Sequence, residues 1–222
     1  MKVERRNFLL LLGCLMLVLS LTLALTMQLE RSPQMQRNTN GVQTAKDKQI
    51  NLQEVMDSAI DMMSRGNFSA AEAVLADAVK QYPGQSDLWM LLGEAYYRQE
   101  KFAQAEQTFR HLLRYQPENA AGYNNLAESL IKLERFQEAQ TAINQAIQLA
   151  PKNGEILLNA ASLYAQQQDD QLALYYLKQA LDCGIQPETV SNYKELVRLL
   201  ERPDFMNYYR KKTQERNRRH SK

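Results

Sequence analysis

Residues 86–119, SDLWMLLGEAYYRQEKFAQAEQTFRHLLRYQPEN, decide the fold. Their skeleton is Trp89, Leu92, Gly93 and Tyr96, then Ala105 and Phe109, then Pro117. Strong helix formers fill both halves, and Gln99-Glu100-Lys101-Phe102 reads as a turn whose phenylalanine packs back onto the helix pair it joins. Prolines at 83, 117 and 151 stand 34 residues apart, so the same frame slides along the chain. One frame downstream lie Tyr123, Leu126, Ala127, Leu130, Ala139, Ile143, Ala146 and Pro151. One frame upstream lie Val55, Ser58, Ala59, Met62, Ala71, Leu75, Ala78 and Pro83, a degenerate copy of the kind that ends an array. The fourth copy has Leu157, Ala160, Ala161, Tyr164, Ala173, Leu177 and Ala180, with Pro187 two residues late.

Three positions per copy must be small where two helices cross. They read Ala59/Ala71/Ala78, Gly93/Ala105/Leu112, Ala127/Ala139/Ala146 and Ala161/Ala173/Ala180, so eleven of twelve are Ala or Gly. Leu112 is the exception, and the expectation is that it fills the space left by Gly93. With Trp89, Leu92, Gly93, Tyr96, Ala105, Phe109 and Pro117 in register, the chain resembles the tetratricopeptide-repeat (TPR) family over residues 52 to about 187. The resemblance implies an all-α solenoid of four helix-turn-helix repeats, 52–85, 86–119, 120–153 and 154–187. Each pair leaves an apolar face that only a stacked neighbour covers. Asn119 and Asn153, two residues after their prolines, are placed to cap the next helix, and Ser86 can do the same. Val190, Tyr193, Leu196, Val197, Leu199 and Leu200 then predict one capping helix over 188–202 that closes the TPR domain 52–202. Pro203 stops it, and a basic tail, 203–222, follows as a solvated end.

Ahead of the repeats, residues 8–29 carry no charge, and thirteen of them are Leu, Phe or Val. At ~1.5 Å per residue they make ~33 Å of helix, enough to span a ~30 Å hydrocarbon core. The length favours one N-terminal transmembrane helix acting as an uncleaved signal anchor. Three other readings stand beside it: a cleaved secretory signal, a lipoprotein signal around Leu11-Leu12-Gly13-Cys14, and a twin-arginine export signal around Arg5-Arg6. Lys2, Arg5 and Arg6 crowd the basic flank 1–7, which predicts a cytoplasmic N-terminus and a periplasmic body in the inner (plasma) membrane. Residues 30–51 read as a flexible linker.

Charge divides along these boundaries. Residues 52–203 hold 20 acids against 13 bases, whereas 204–222 hold 7 bases against 2 acids. Nothing points to an enzyme. The two histidines, His111 and His220, have no ligand-spaced Cys, Asp or Glu around them, and no glycine pair forms a phosphate loop, so no cofactor and no metal is expected. His111 reads as a helix-surface residue, and Asp169-Asp170 as a solvated turn.

By resemblance to the family, the first helix of each pair lines a concave groove that holds a protein or peptide partner. Its positions here are Met56, Ile60 and Met63, then Met90, Glu94, Tyr97 and Arg98. The third repeat offers Asn124, Asn125, Glu128 and Lys132, and the fourth Glu155, Leu158, Asn159 and Ser162. Asn125 and Asn159 fall where many TPRs place an asparagine that bonds a peptide backbone. The subclass that clamps the acidic tail of heat-shock chaperones needs lysines and an arginine where this chain has Met90, Glu94, Glu155 and Asn159, which rejects that function. An adaptor or scaffold for an envelope complex is the expectation, with no nucleic acid. A cytoplasm-facing scaffold whose basic tail grips anionic lipid or RNA is the alternative.

Overall fold

The computed structural model describes residues 52–220, which lie almost wholly in the compact unit Val55–Lys222. The basic flank 1–7, the apolar segment 8–29 and the linker 30–51 lie outside the described residues, and among those described no helix is long and apolar enough to cross a membrane. Eight helices pair along the chain: α1 (52–64) with α2 (Phe68–Gln81), α3 (Ser86–Arg98) with α4 (Phe102–Tyr115), α5 (Ala120–Lys132) with α6 (Phe136–Leu149), and α7 (Gly154–Gln166) with α8 (Asp170–Asp182). From α2 on, each helix packs on the next in chain order, and α3 also meets α5, and α5 meets α7, so the first helices of successive repeats form one face.

The 34-residue period is written into the turns as well as the prolines. Gly66, Glu100, Glu134 and Gln168 all adopt left-handed backbone, with φ of 76°, 60°, 58° and 62°. Each is followed by a residue whose N–H reaches five carbonyls back, as Asn67 to Met62 (2.9 Å) and Lys101 to Tyr96 (3.0 Å). This pair of bonds satisfies the orphan carbonyls at the end of the first helix and reverses the chain in the fewest residues. Asn119 accepts the Gly122 N–H at 2.8 Å and Asn153 those of Glu155 and Ile156 at 3.0 and 3.3 Å, the capping expected of both. Ser86 does not cap: Gln85 holds the cap position, and the Ser86 hydroxyl instead accepts from the Gln116 side-chain amide across the repeat.

The twelve crossing positions are all buried, Leu112 included. Leu112 does not fill the space of Gly93, however. A Cβ at Gly93 would lie 2.5 Å from the Phe109 ring, so it is Phe109 that occupies that space. Leu112 reaches forward to Gly122 of the following repeat, where a Cβ would stand 3.1 Å from its Cδ2. His111 is not a free surface residue either: its ring stacks on Trp89 at 4.0 Å between centroids, with Tyr115 at 5.3 Å on its other flank.

Two apolar clusters make the core, one from Ala105 to Leu163 and the other from Leu157 to Phe205. Helix α7 belongs to both, and its residues 156–165 are buried on every side. A helix so enclosed must be apolar or small nearly all round, as ILLNAASLYA is, with Asn159 admitted because its amide is hydrogen-bonded. The enclosing element is the C-terminal cap, which is not one helix over 188–202. It breaks into α9 (Pro187–Val190) and α10 (Lys194–Leu200) around Ser191-Asn192-Tyr193. Ser and Asn favour turns over helix interiors, and the Asn192 and Tyr193 N–H groups close back on Thr189 and Val190. The break drops Leu196 and Leu199 onto the end of the array, both fully buried.

Pro203 starts a helix rather than ending structure: α11 runs Pro203–His220, with proline at the first turn where its missing N–H costs nothing. Phe205 is buried under it, and the Tyr208 hydroxyl donates to the Lys178 carbonyl and lies 2.7 Å from Asp182. The basic tail therefore continues as a helix docked at its root on α8.

Candidate functional site

Helices α3, α5 and α7 turn one row of side chains toward a shared groove, walled at its far end by Tyr193 and α10. Two adjoining cavities lie in it. One of about 250 Å³ is lined by Glu94, Tyr97, Arg98, Phe109, Asn125 and Glu128. The other, about 380 Å³, shares Tyr97 and Glu128 and adds Lys132, Asn159, Ser162, Asn192, Tyr193 and Glu195 among its walls.

Glu128 is the hinge of the site. The Asn124 amide donates to its Oε1 at 3.0 Å, and the Asn159 amide donates to the same oxygen while also bonding Asn124 Oδ1 at 3.0 Å. Tyr193 donates to Asn159 Oδ1 at 3.1 Å, so a chain of polar groups runs from α5 through α7 to the cap. Burial pushes the Glu128 carboxyl above the usual carboxylate range and Glu155 adds to this, against the two amide bonds and the charge of Lys132. Burial and the Glu128 carboxylate likewise hold the Tyr97 hydroxyl neutral, and Tyr193 is pushed up to about 12 by burial first and then by Glu128.

The residues expected in the groove do not all reach it. Glu94, Tyr97, Arg98, Asn125, Glu128 and Lys132 line one cavity or both, as does Asn159 although it is buried. Met90 supports Asn125, whose amide lies 3.3 Å from its Sδ, and Asn124 works from beneath through Glu128. Glu155 stays on the exposed rim. Leu158 is a correction: it is 1% exposed and belongs to the second core cluster, because the broken cap lies over the surface of α7 that the earlier repeats leave open. Sequence reasoning missed Tyr193 and Glu195. The signal for the first was available, since Tyr193 stands 34 residues after Asn159, itself 34 after Asn125.

Asp169 and Asp170, expected as a solvated turn, are half-buried and engaged in structure. Asp169 caps α8 through the Leu172 N–H at 3.0 Å, and Asp170 pairs with Arg198 and Arg202 of the C-terminal elements. Among the described residues no group of three or more His, Cys, Asp or Glu is placed to hold a metal, and Cys183 is free and exposed.

This arrangement of stacked pairs, shared first-helix face and 34-residue turns has a counterpart in known families. Two family models described as tetratricopeptide repeat match the chain, one at residues 62–130 and 98–146, the other at 124–187. The chain belongs to the tetratricopeptide-repeat family. The TPR matches begin inside α1, in keeping with the degenerate start of the first repeat. No curated protein matches the sequence. Among solved structures, a thermophilic TPR protein of Thermus thermophilus, TTC0263, superposes with a TM-score of 0.62 at 22% identity, covering 72% of this chain and 89% of that one. PilF of Pseudomonas aeruginosa gives 0.61 at 21% identity over 71% of this chain and 73% of its own. A MamA protein gives 0.60 at 16% identity over 77% and 94%. At these identities the likeness shows the TPR fold.

Proposed function

We propose that the chain is a membrane-anchored TPR adaptor, its first-helix groove holding an extended segment of a protein partner during assembly or quality control of an envelope complex. The observation that carries this reading is the groove itself. Its two adjoining cavities sit on the face where stacked repeats present Tyr97, Asn125 and Glu128, polar groups held in place by neighbours, Asn159 among them, and ready to meet a backbone and its side chains. Support for the tether comes from the uncharged run 8–29, long enough to cross a bilayer, and from the clustered bases ahead of it, which favour a cytoplasmic N-terminus.

A photo-crosslinking residue at Lys132, on the groove rim, tests the reading in native membranes. A polypeptide crosslinked there and absent when the label sits at exposed Gln137 on α6 is the expected result, and its absence from both sinks the adaptor. A reporter enzyme active only after export, fused after Lys222, tests the topology. Activity is expected. A silent reporter selects the alternative, a scaffold facing the cytoplasm, which the helical course of the basic residues Arg210, Lys211 and Lys212 favours.

A further inference from the structure

Seven carboxylates among the described residues are buried or half-buried: Glu72, Glu94, Glu106, Glu128, Asp169, Asp170 and Glu195. Glu72 pairs with Lys101, Glu106 with Arg110 and Arg135, and Asp170 with Arg198 and Arg202, while Asp169 caps a helix. The remaining three, Glu94, Glu128 and Glu195, form no ion pair, and all three line the groove. Elsewhere the fold compensates a carboxylate that it takes out of water, or spends it on a helix end. In the groove it does neither, although desolvated charge without a counter-charge is costly.

We infer that the groove around Glu128 is a subsite for an arginine side chain of the partner segment. This rests on the adaptor reading above and names the chemistry of what the groove holds. Glu128 stands in the wall of both cavities, and the two amide bonds it accepts fall on one oxygen, Oε1. Even with the Tyr97 hydroxyl beside the carboxylate, at most three of its roughly four lone-pair sites are taken, so acceptor capacity remains on Oε2. Glu195 lies in the wall of the larger cavity, oriented by the Ser162 hydroxyl and the Gln166 amide. Tyr97 and Tyr193 supply aromatic surface in the same cavity. A planar guanidinium forks onto carboxylates and stacks on aromatic faces, whereas a compact ammonium matches only the charge. Arg98 and Lys132 also line the walls, but the Arg98 guanidinium sits over the Phe68 ring at 4.9 Å, and Lys132, exposed at the rim, acts on Glu128 only through its charge, so neither forms an ion pair with the three acids. Burial that raises the Glu128 carboxyl is relieved when a cation arrives, which couples occupancy to its ionisation.

The test uses the full chain in detergent micelles with its methionine methyl groups labelled for NMR. Met90, whose sulfur meets Asn125, reports on the groove, and Met206 on α11 serves as a remote control. N-acetyl-arginine amide is titrated against its uncharged isostere, N-acetyl-citrulline amide. A saturable shift of the Met90 methyl is expected with the arginine probe, at least tenfold tighter than with citrulline and with Met206 unmoved. Equal response to both probes, or none to either, overturns the subsite. Glu128→Gln and, separately, Glu195→Gln are each expected to abolish the tenfold preference; a preference unchanged in both variants overturns the assignment of these residues. The comparison of probes on the native chain stands whether or not a variant folds. Failure here is separable from failure of the adaptor. A polypeptide crosslinked at Lys132 with no arginine preference removes only the subsite, whereas no crosslinked polypeptide removes the reading beneath it.

Discussion

Replacing Gly93 by alanine inserts one carbon where α3 packs against the Phe109 ring of α4. The other first helices have alanine at this place, Ala59, Ala127 and Ala161, and their partner positions on the second helix are Leu75, Ile143 and Leu177. The second repeat exchanges both members, glycine for alanine and Phe109 for the aliphatic residue. An alanine Cβ at 93 would come within 2.5, 2.7 and 2.9 Å of three atoms of the Phe109 ring, far inside the ~3.5–4.0 Å of a normal carbon contact. The ring is 1% exposed and part of the first core cluster, so it cannot swing into solvent. Overpacking of this kind costs ~1–3 kcal/mol, the upper end applying to so close an approach, while alanine recovers ~1 kcal/mol of helix propensity. The expected net loss is therefore about 2 kcal/mol, or a fall in Tm of roughly 4–8 °C for a domain of this size. Trp89, the single tryptophan, lies one turn away and reports urea unfolding by its fluorescence. Phe109→Leu alone also destabilises by leaving a cavity, but the double variant recreates the alanine–leucine pair of the first and fourth repeats. It should be more stable than the two single losses predict by about 1–3 kcal/mol. A Gly93→Ala variant as stable as the native chain, or a strictly additive double variant, refutes the reasoning.

Other perturbations separate the remaining parts of the argument. Leu112→Ala removes a fully buried side chain wedged toward Gly122 and should cost ~2–5 kcal/mol in the same urea assay. Glu134→Gly relieves a left-handed residue at φ 58° and should stabilise by roughly 0.5–1 kcal/mol; a loss would contradict the turn geometry. Because the folded state holds the Glu128 carboxyl above its unfolded range, this residue favours folding most at acid pH, and its contribution falls as pH rises through that range to the raised value. The difference in stability between Glu128→Gln and the native chain should therefore grow with pH across that window in the variant's favour, and a difference flat with pH would refute the assignment. Phe205→Ala should release α11 from the end of the array, read as faster proteolysis after Arg202 with the repeats intact.

How far the site could be read from sequence follows from which residues the repeat constrains. Crossing positions, turn ends and inter-repeat prolines recur because every unit must solve the same packing problem, so Ala127 or Gly66 is legible from its homologous positions in the chain. Groove residues on α3 and α5 are legible in place, since the same frame assigns Tyr97 and Glu128 to one face. The end of the array obeys no such frame. Something must cover the last apolar face, but only shape and hydrophobicity are required of it. So although Tyr193 keeps the 34-residue spacing from Asn159, the break at Ser191-Asn192-Tyr193 and the place of Glu195 have no counterpart in the earlier repeats. That break places Tyr193 and Glu195 in the groove and takes Leu158 out of it. The cap thus converts the fourth repeat from part of an open docking face into a wall, and with Asn159 and Tyr193 bonded across the join the groove is closed at its C-terminal end. Of the three unpaired acids in the groove, Glu94 and Glu128 are repeat positions 34 residues apart, and only Glu195 comes from the cap. The groove therefore joins residues that the repeat frame assigns, such as Glu94 and Glu128, to residues of the broken cap that it does not, such as Glu195, which explains why a repeat so readable left the wall at its C-terminal end to the structure.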